Sequence, residues 1–427
     1  MKNKSFGFKL FVGLCISSFL IGCKNKNEEK PAEQKDEPVT PTDQKTYDDG
    51  YVDGYIAGYD EGKTNGLSEG YSQGKIDGQA EGYNQGKEDA QKDRESQSIH
   101  TDKQLEYLNN SDYSILPASV SGESEQSRPA PLKFQVQESP LYNLDDITSS
   151  KLRISETDDF TKYIEVEGDA EHRFEVYNLK INTSYYYYYW AVTAAGTYYS
   201  EVKEVFVKNE APRLLNIDGV KNARDVGGWK IKGQDKYTVQ GKMFRTGMLS
   251  TNSNTYITAE GIEVIKALGI KTEIDLRNSD DNPPTSSAVD GVAYHNFSLN
   301  HSSNAVYFTD ASSKQNVKNV LEMMADSDNY PLMFHCHIGT DRTGFISFIV
   351  NALLGVEEEC LFRDYMMSNF SDISGPRNAA SINEYINQLK TNYDGATDLS
   401  LGAKNYMSSI GVSDADINNI KTIMLGA

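Results

Sequence analysis

The chain has 427 residues, 38% of them hydrophobic and 24% charged, with a formal net charge of −20. This length favours more than one domain, and the apolar fraction is sufficient for buried cores. The chain has 62 acidic and 42 basic residues. This acidic excess argues against a nucleic-acid partner, because proteins that bind a phosphate backbone are usually basic. Any anion-binding site must therefore collect its positive charge locally.

The N-terminal residues have the pattern of an export signal, a basic start followed by an apolar run from Phe6 to Gly22. The run ends in Leu-Ile-Gly-Cys at Cys23, which resembles the bacterial lipobox. The resemblance implies a lipoprotein signal peptide over residues 1–22 and a lipid on Cys23. We therefore expect a bacterial cell-envelope protein anchored in a membrane, at the outer membrane and periplasm or at the cell surface. A plain transmembrane anchor is the alternative, but the run is short for a span of roughly 20 residues.

Two segments connect this leader to the folded part. Residues 23–49 are polar and predict a tether. Residues 50–90 contain a glycine at every fourth position from Gly50 to Gly86. This spacing places the glycines on a slowly winding stripe of a helix and permits self-association. Since each glycine costs an isolated helix roughly 1 kcal/mol relative to alanine, the pattern favours a stalk over a specific interaction helix.

Alternating apolar runs between turn residues predict a β-sandwich over residues 113–208. The runs cover 132–136, 151–154, 163–166, 172–176, 185–192 and 198–207. The passage 176–192 resembles the leucine-turn-tyrosine passage of fibronectin type III domains, a fold of immunoglobulin-like architecture held together by a tyrosine and a tryptophan packed between sheets. The rings from Tyr185 to Tyr189 predict one strand that alternates between core and surface, with a carbohydrate- or protein-binding face as the alternative. We expect this domain to act as a spacer or docking module.

Residues 212–427 change to an α/β pattern, which predicts a mainly parallel sheet flanked by helices. The predicted elements are helices over 258–268, 345–354, 402–411 and 414–425, the last capped by Ser413, and strands over 272–276 and 331–334. Residues 335–344, His-Cys-His-Ile-Gly-Thr-Asp-Arg-Thr-Gly, lie between the second strand and its helix. A strand, a glycine-containing loop and a helix together present backbone N–H groups and a positive helix end to an anion.

This loop resembles the signature of the cysteine-dependent phosphatases, Cys-x5-Arg followed by threonine. Three further segments, 222–228 (Asn-Ala-Arg-Asp-Val-Gly-Gly), 244–247 and 274–277, match elements of an atypical bacterial tyrosine-phosphatase family in the same order. The resemblance spans about residues 215–427. It implies an enzyme that hydrolyses phosphate monoesters, most often phosphotyrosine, while some members of that family also act on phosphoinositides.

The chemistry of the loop follows from its residue types. A free cysteine is mostly protonated at neutral pH, and a helix N-terminus, inward N–H groups and an arginine would stabilise the Cys336 thiolate. Arg342 offers a planar fork to two phosphate oxygens, His335 would orient the loop, and Thr343 can donate to the sulfur. We expect a phosphocysteine intermediate and no metal or other cofactor. The residues predicted to bind substrate are His337, Ile338, Gly339, Thr340, Arg245 and Asp225.

The proton donor for the leaving group is predicted to be Asp341. The region 294–301, where many cysteine phosphatases carry a mobile aspartate, contains no Asp or Glu. The family resembled here carries an aspartate just before the arginine, and Asp341 occupies that place, as acid and then as base. His301 is the second choice for this role. A purely structural hydrogen bond is the other interpretation of Asp341.

Other features leave alternatives open. The family often has lysine where this chain has Thr340, which weakens a phosphoinositide or inositol phosphate reading and favours phosphotyrosine or a small phosphoester. Arg224, Arg245 and Arg277 could line a substrate pocket or pair with carboxylates. Cys360 is predicted to face a helical core. A non-catalytic surface protein that binds phosphorylated ligands is the remaining alternative, although a binding module needs no nucleophile.

Overall fold

The computed structural model describes residues 95–426. The predicted signal peptide (1–22), the predicted lipidation site Cys23, the tether (23–49) and the stalk (50–90) lie outside the described residues. Between residues 95 and 426 no helix has the length and apolar character needed to cross a bilayer.

The first half of the described chain is dominated by β-structure. Its elements are β1 (Ser96–Gln97), α1 (Asp102–Leu108), β2 (Leu132–Gln135), β3 (Ile147–Ser155), β4 (Ile164–Glu167), β5 (Arg173–Val176), β6 (Thr183–Thr193), β7 (Gly196–Tyr199) and β8 (Lys203–Val207). One sheet has the strand order β1-β8-β6-β3-β4, with β7 also paired to β6, and β2 pairs with β5 in a second sheet. One apolar cluster includes residues of both sheets, among them Phe134, Leu152, Phe174 and Val205.

The tyrosine run in β6 alternates as the sequence predicts. The rings of Tyr185, Tyr187 and Tyr189 are buried in the core between the sheets, and the residues between them lie on the other face. The Tyr185 hydroxyl accepts a 2.8 Å hydrogen bond from the backbone N–H of Lys180, a contact of the tyrosine-corner kind. Trp190, expected to pack between sheets, instead lies half-buried on the outer face, because it follows Tyr189 in a period-two strand. The fibronectin type III assignment stays a prediction.

The other predicted strand positions are confirmed with one exception. The run 198–207 forms two strands, β7 and β8, separated at residues 200–202. Ser200 ends the pairing of β7 with β6, because its side-chain oxygen accepts from the Tyr189 N–H at 3.0 Å while its own N–H donates to the Tyr189 carbonyl. The chain then turns away before it re-enters the sheet as β8.

The second half alternates strands and helices. Its elements are β9 (Arg224–Asp225), β10 (Met243–Thr246), α2 (Ala259–Ala267), β11 (Thr272–Asp275), β12 (Ala293–Asn296), α3 (Val306–Thr309), α4 (Ala311–Ala325), β13 (Leu332–His335), α5 (Asp341–Leu353), α6 (Glu358–Met366), α7 (Ala380–Asn392), α8 (Leu399–Ser409) and α9 (Asp414–Leu425). The predicted helices and strands of this region are confirmed within a few residues. The Ser413 side chain accepts from the Asp416 N–H and caps α9.

The sheet of this half has the order β12-β11-β13-β10-β9. The first four strands are parallel and β9 is antiparallel, which confirms the predicted mainly parallel sheet. Every residue of α5 after Asp341 is buried, so this helix is the centre of the core. His335 is in register with Thr246 and Asp275. The loops that follow β10, β11 and β13 therefore meet at one edge of the sheet, the usual place for a ligand.

We call the strands from β2 to β8 (residues 132–207) the β-region, and the segment between β1 and β2 packs into the core of the second half. Tyr107 of α1 and Val120 belong to the same buried cluster as Phe345 of α5. Arg363 of α6 donates to the backbone carbonyls of Tyr107 at 2.8 Å and Asn110 at 2.7 Å. The second half is thus completed by residues that precede β2 in sequence, and the predicted boundaries at 113 and 212 do not contain this arrangement.

We call residues 119–127 the strap. Gly122 of the strap donates to the Asn369 carbonyl at 3.0 Å, and its own carbonyl accepts from the N–H groups of Ile373 and Gly375 at 2.8 and 3.1 Å. The Glu125 carboxylate accepts from the Ser371 hydroxyl at 2.6 Å. These bonds fix the segment between α6 and α7 against the strap.

Candidate active site

Residues 336–342, the signature loop, connect β13 to α5. The loop turns sharply at Gly339, whose φ is +73°. A Cβ atom at this position would lie 2.4 Å from the Thr246 carbonyl oxygen and 2.8 Å from the Gly247 nitrogen. Only glycine fits there, because both the backbone conformation and the space exclude a side chain. The loop is therefore pressed against the end of β10.

Cys336 is buried, with 2% of its surface exposed, at the N-terminal side of α5. Burial acts to raise the pKa of its thiol, but the charge of Arg342 and hydrogen bonds from Thr343 outweigh it, so the pKa lies below the ordinary value. Apart from the Cys336 sulfur, the buried Thr343 hydroxyl has no hydrogen-bond partner among residues 95–426. The geometry thus favours a thiolate.

Arg342 is held in place by Asp281. Its Nη1 donates to Asp281 Oδ2 at 2.5 Å, and the second oxygen of Asp281 lies 3.6 Å from Nδ1 of His337. Burial works against charge in the Asp281 carboxyl, but Arg342 overcomes it and holds the pKa of that carboxyl below its usual range. Burial lowers the pKa of His337 despite the nearby Asp281, so His337 is mostly neutral at neutral pH.

His335, the last residue of β13, holds the start of the loop through both nitrogens of its ring. Its Nε2 lies 2.8 Å from Glu273 Oε1 and its Nδ1 lies 3.2 Å from the Cys336 carbonyl oxygen. Burial acts to lower the pKa of His335, but Asp275 and Glu273 raise it overall. A protonated ring donates through both nitrogens, which suits a role in orienting the loop.

A second set of contacts holds the back of the loop. The side-chain amide of Asn222 donates to the carbonyls of Ile338 and Gly339, both at 3.1 Å. Arg245 donates to the Gly339 carbonyl at 2.8 Å and to Asp364 at 2.5 Å. Asp364 also accepts from Nε of Arg224 at 2.8 Å. With its carbonyls occupied in this way, the loop is free to turn its N–H groups inward.

Two predicted substrate-binding residues have other positions. Arg245 is fully buried between Asp364 and the Gly339 carbonyl, so it supports the loop from behind. Asp225 is also fully buried, where it pairs with Arg213 at 3.0 Å and accepts from the backbone N–H of Gly241. The structure therefore does not place either side chain where substrate could reach it.

The two other arginines singled out in the sequence pair with carboxylates. Arg224 and Arg277 are both buried, Arg224 against Asp364 and Arg277 against Asp275, at 2.8 and 2.7 Å. Of the remaining predicted binding residues, His337 is exposed, Ile338 is half-buried and Thr340 is buried. Thr340 Oγ1 lies 3.4 Å from the Asn222 amide.

Asp341 is the first residue of α5 and is engaged on both oxygens. Oδ1 accepts from the Tyr365 hydroxyl at 3.0 Å, and Oδ2 lies 3.2 Å from Nη2 of Arg377. Its side chain remains 29% exposed, so a proton can reach it. In this state Asp341 is an ion-pair partner, and it must leave or share that pair to act as an acid.

The region 294–301 contributes no acid, as expected from its sequence. The Tyr294 hydroxyl donates to Asp275 at 2.7 Å, and the Asn296 amide donates to the Arg277 carbonyl at 2.9 Å, so both side chains brace the loop after β11. His301 is exposed and close enough that its charge affects the pKa values of Asp281 and His337. It stays the second choice as proton donor.

The sequence motifs do not indicate Asp281, Asp364 or Arg377 as site residues. A signal for Asp281 existed, because Asp280-Asp281 follows a predicted strand that ends at the same sheet edge as the loop. Asp364 and Arg377 gave no such signal, since they lie beyond α5 and reach the site only through the packing of α6 and the segment after it.

Comparisons with known proteins agree with this geometry. Residues 215–426 match the model of a family described as "Tyrosine phosphatase family". A Cupriavidus necator protein named as a candidate tyrosine-protein phosphatase is 25% identical over 178 residues, which cover 36% of this chain and 63% of the relative. A tyrosine-protein phosphatase of Nostoc commune is 24% identical over 198 residues, which cover 37% of this chain and 67% of the relative. The chain thus spans under two thirds of the first of these relatives.

Solved structures give weaker matches. The core catalytic domain of the PP-IP phosphatase SIW14 from S. cerevisiae, in complex with citrate, is 15% identical, with a TM-score of 0.25, and the match covers 39% of this chain and 88% of that domain. A variant of TpbA from P. aeruginosa, in complex with phosphotyrosine, is 14% identical, with a TM-score of 0.23, covering 47% of this chain and 97% of that protein. At these TM-scores the structural matches carry no argument for function.

Proposed function

Since residues 215–426 match the model of the tyrosine phosphatase family, we propose that this protein is an exported, membrane-anchored phosphatase that hydrolyses phosphate monoesters, phosphotyrosine foremost, through a phosphocysteine intermediate. The observation that carries the proposal is a buried thiol whose pKa is lowered by an arginine of its own loop. A protein that only bound phosphate would need the arginine and the N–H groups, but not an activated thiol.

In the first step the Cys336 thiolate attacks the phosphorus atom. An S–P bond forms, the ester P–O bond breaks, and the leaving oxygen takes its electron pair and a proton from Asp341. Arg342 and the loop N–H groups balance the charge on the non-bridging oxygens. Because Asp281 holds Arg342 from the other side, the guanidinium is oriented before substrate arrives.

In the second step water attacks the phosphocysteine. The Asp341 carboxylate now accepts a proton from the water, an O–P bond forms, and the S–P bond breaks to release phosphate and restore the thiolate. The same lowered thiol pKa that makes Cys336 a nucleophile at neutral pH makes it a good leaving group here.

An inositol phosphate or phosphoinositide substrate is the second candidate. The signature loop has Thr340 where a lysine would favour such substrates, and His337 is mostly neutral because burial lowers its pKa. The loop itself therefore offers one permanent cation, Arg342. This supports a substrate with one strongly bound phosphate, such as phosphotyrosine.

The test of the enzymatic proposal is phosphate release by the purified full chain. We would assay a phosphotyrosine peptide and an inositol phosphate with the wild type, Cys336→Ser, Asp341→Asn and Cys360→Ser. Cys360 is the matched control, because burial and neighbouring glutamates raise its pKa to about 12. We expect Cys336→Ser to abolish release, Cys360→Ser to keep it, and Asp341→Asn to slow it by roughly 10²–10⁴-fold.

Other outcomes would change the proposal. No release from either substrate by a folded, reduced chain would support the binding-module alternative. Release that survives Cys336→Ser would remove the phosphocysteine step. A preference for the inositol phosphate would select the second candidate.

The anchoring proposal depends on the sequence of residues 1–23. It is tested by fractionating bacterial cells that express the wild type or Cys23→Ser. We expect the wild type in the membrane fraction and the variant outside it; equal membrane association of both would contradict a lipid on Cys23.

A further inference from the structure

Arg377 lies beside the signature loop, where it pairs with Asp341 and is close enough to Cys336 for the two charges to interact. Its Nη2 lies 3.2 Å from Asp341 Oδ2 and its Nε lies 3.3 Å from Asp341 Oδ1. The fork of the guanidinium thus faces the carboxylate that is the proposed acid. About 30% of the Arg377 side chain is exposed, so a ligand in the site can reach it.

The backbone of Arg377 is fixed although its tip is accessible. Its N–H donates to Asn369 Oδ1 at 2.6 Å and its carbonyl accepts from Asn369 Nδ2 at 3.0 Å. Two residues earlier, the Gly375 N–H donates to the Gly122 carbonyl of the strap at 3.1 Å. Arg377 is therefore a positioned cation, and a ligand that binds it loses little entropy in ordering the protein.

The ion pair with Arg377 favours the charged form of Asp341, whereas the proposed chemistry requires Asp341 to carry a proton. The guanidinium groups of Arg342 and Arg377 face the Cys336 thiolate and the carboxylates of Asp281 and Asp341. A phosphate dianion would add further negative charge beside Asp341. Uptake of a proton by Asp341 relieves this repulsion, but a protonated Asp341 no longer balances Arg377.

We propose that Arg377 determines substrate specificity by binding a second anionic group of the substrate, a carboxylate or a phosphate next to the scissile phosphate, and that it releases Asp341 to carry the proton when it does so. The inference rests on the proposed phosphatase function. It assigns to a residue outside the signature loop the second cation that Thr340 does not supply.

The chemistry of the guanidinium supports this assignment. Its planar fork matches both carboxylate and phosphate. The second anion could come from an acidic side chain of a phosphotyrosine peptide or from another phosphate of a small phosphoester. Both groups would replace the Asp341 carboxylate with another anion, so Arg377 stays paired throughout the reaction.

The test compares paired substrates with the full chain. One pair is a phosphotyrosine peptide flanked by glutamates and the same peptide flanked by glutamines; the other is an inositol bisphosphate and an inositol monophosphate. Variants are Arg377→Gln, Arg377→Lys and the control Arg173→Gln, an exposed arginine of the β-region. We expect the wild type and Arg173→Gln to prefer the doubly anionic member of one pair by about tenfold in kcat/KM, as for a charged hydrogen bond.

Arg377→Gln should reduce that preference to about one, and Arg377→Lys should keep part of it, because lysine retains the charge without the fork. The pair that shows the effect identifies the source of the anion. A preference that survives Arg377→Gln, or a loss of rate shared equally by both members, would overturn the proposal and leave Arg377 a structural residue.

The same substrates can also be titrated by calorimetry into the Cys336→Ser chain, which should bind them without turnover. If the wild type released no phosphate, the proposed function would fail, yet the ratio of affinities with and without Arg377→Gln would still decide whether Arg377 binds a second anion. Equal affinities for both members of each pair would reject it.

Discussion

Two cysteines of the described chain show how neighbouring residues decide reactivity. Cys336 is buried and Cys360 is half-buried, and burial alone would raise the pKa of each thiol. At Cys336, Arg342 and Thr343 reverse that effect. At Cys360, the carboxylates of Glu357 and Glu359 add to it, and the pKa rises to about 12. Residue type alone therefore does not identify a nucleophile, and the surrounding charges do.

Thr343→Val should raise the pKa of Cys336. Valine has nearly the same shape but cannot donate a hydrogen bond to the thiolate. The thiolate is therefore less stable relative to the protonated thiol. The curve of iodoacetamide alkylation rate against pH should move to higher pH, and alkylation at neutral pH should fall by up to about tenfold for each pKa unit. Mass spectrometry of the Cys336 peptide gives the rate.

Thr343→Ser is the control for that experiment, because serine keeps the hydroxyl and should keep the wild-type curve. Superimposable curves for wild type and Thr343→Val would show that the hydroxyl does not stabilise the thiolate.

Among the elements, the signature loop depends on a backbone conformation that Gly339 alone permits. Its positive φ and its contact with Thr246 act together. Gly339→Ala should displace the loop, lower kcat strongly and cost on the order of 1–3 kcal/mol of stability. Phosphate release and urea unfolding measure the two effects.

Gly233 provides a matched control for the loop. It has φ +69° but open space where a Cβ would stand, so Gly233→Ala has the backbone cost without the collision. We expect Gly233→Ala to lose roughly 1–2 kcal/mol for the backbone conformation alone and to retain activity. Equal loss of activity in the two variants would mean that the contact with Thr246 is unimportant.

The sequence predicts the elements that have a local signal. The strand–loop–helix around Cys336, the helix capped by Ser413 and the alternation of Tyr185 to Tyr189 follow from spacing and residue type. The expected substrate contacts of Arg245 and Asp225 are not found, and Arg245 instead takes the other predicted role, pairing with a carboxylate. A motif shows which residues are unusual but not whether water can reach them. Both are buried by packing of distant segments.

Residues brought to the site by long-range packing escape such prediction. Asp364 holds two arginines behind the loop only because α6 packs against α5, where Asp364 accepts from Ser347. Arg377 faces Asp341 because Asn369 holds its backbone and Gly122 holds that of Gly375. Neither has a neighbour in sequence that belongs to the signature loop, so no local pattern could indicate them.

In the described chain, the β-region is inserted in sequence between two segments that pack together in one core. Tyr107 and the strap precede it, while α5 and α6 follow it. Arg213 connects the β-region to the second half, since it donates to the carbonyls of Leu179 and Asn178 and also pairs with Asp225. Substitutions of buried residues between β1 and β2 should therefore lower the activity of the site.

Tyr107→Ala tests this coupling. Tyr107 is fully buried in the core around α5, and removal of a buried aromatic ring typically costs about 3–5 kcal/mol. We expect a lower melting temperature and, since α1 and the strap support the segment that carries Arg377, a lower kcat.

The comparison variant is Tyr163→Ala, in which an exposed ring of the β-region is removed. Surface substitutions usually change stability by no more than about 0.5 kcal/mol, so this variant should melt and turn over like the wild type. Identical behaviour of the two variants would show that the second half is complete without α1.

The contact between the strap and residues 369–375 can form only late in synthesis of the chain. Glu125 leaves the ribosome 246 residues before its partner Ser371, an interval of about 12–50 s at bacterial or slower rates of synthesis. During that time the strap has no docking site, and the segment that will carry Arg377 does not yet exist. The candidate site is thus assembled late, from segments that are far apart in sequence. A polypeptide interrupted directly after α6 would carry Cys336 but would lack both Ser371 and Arg377.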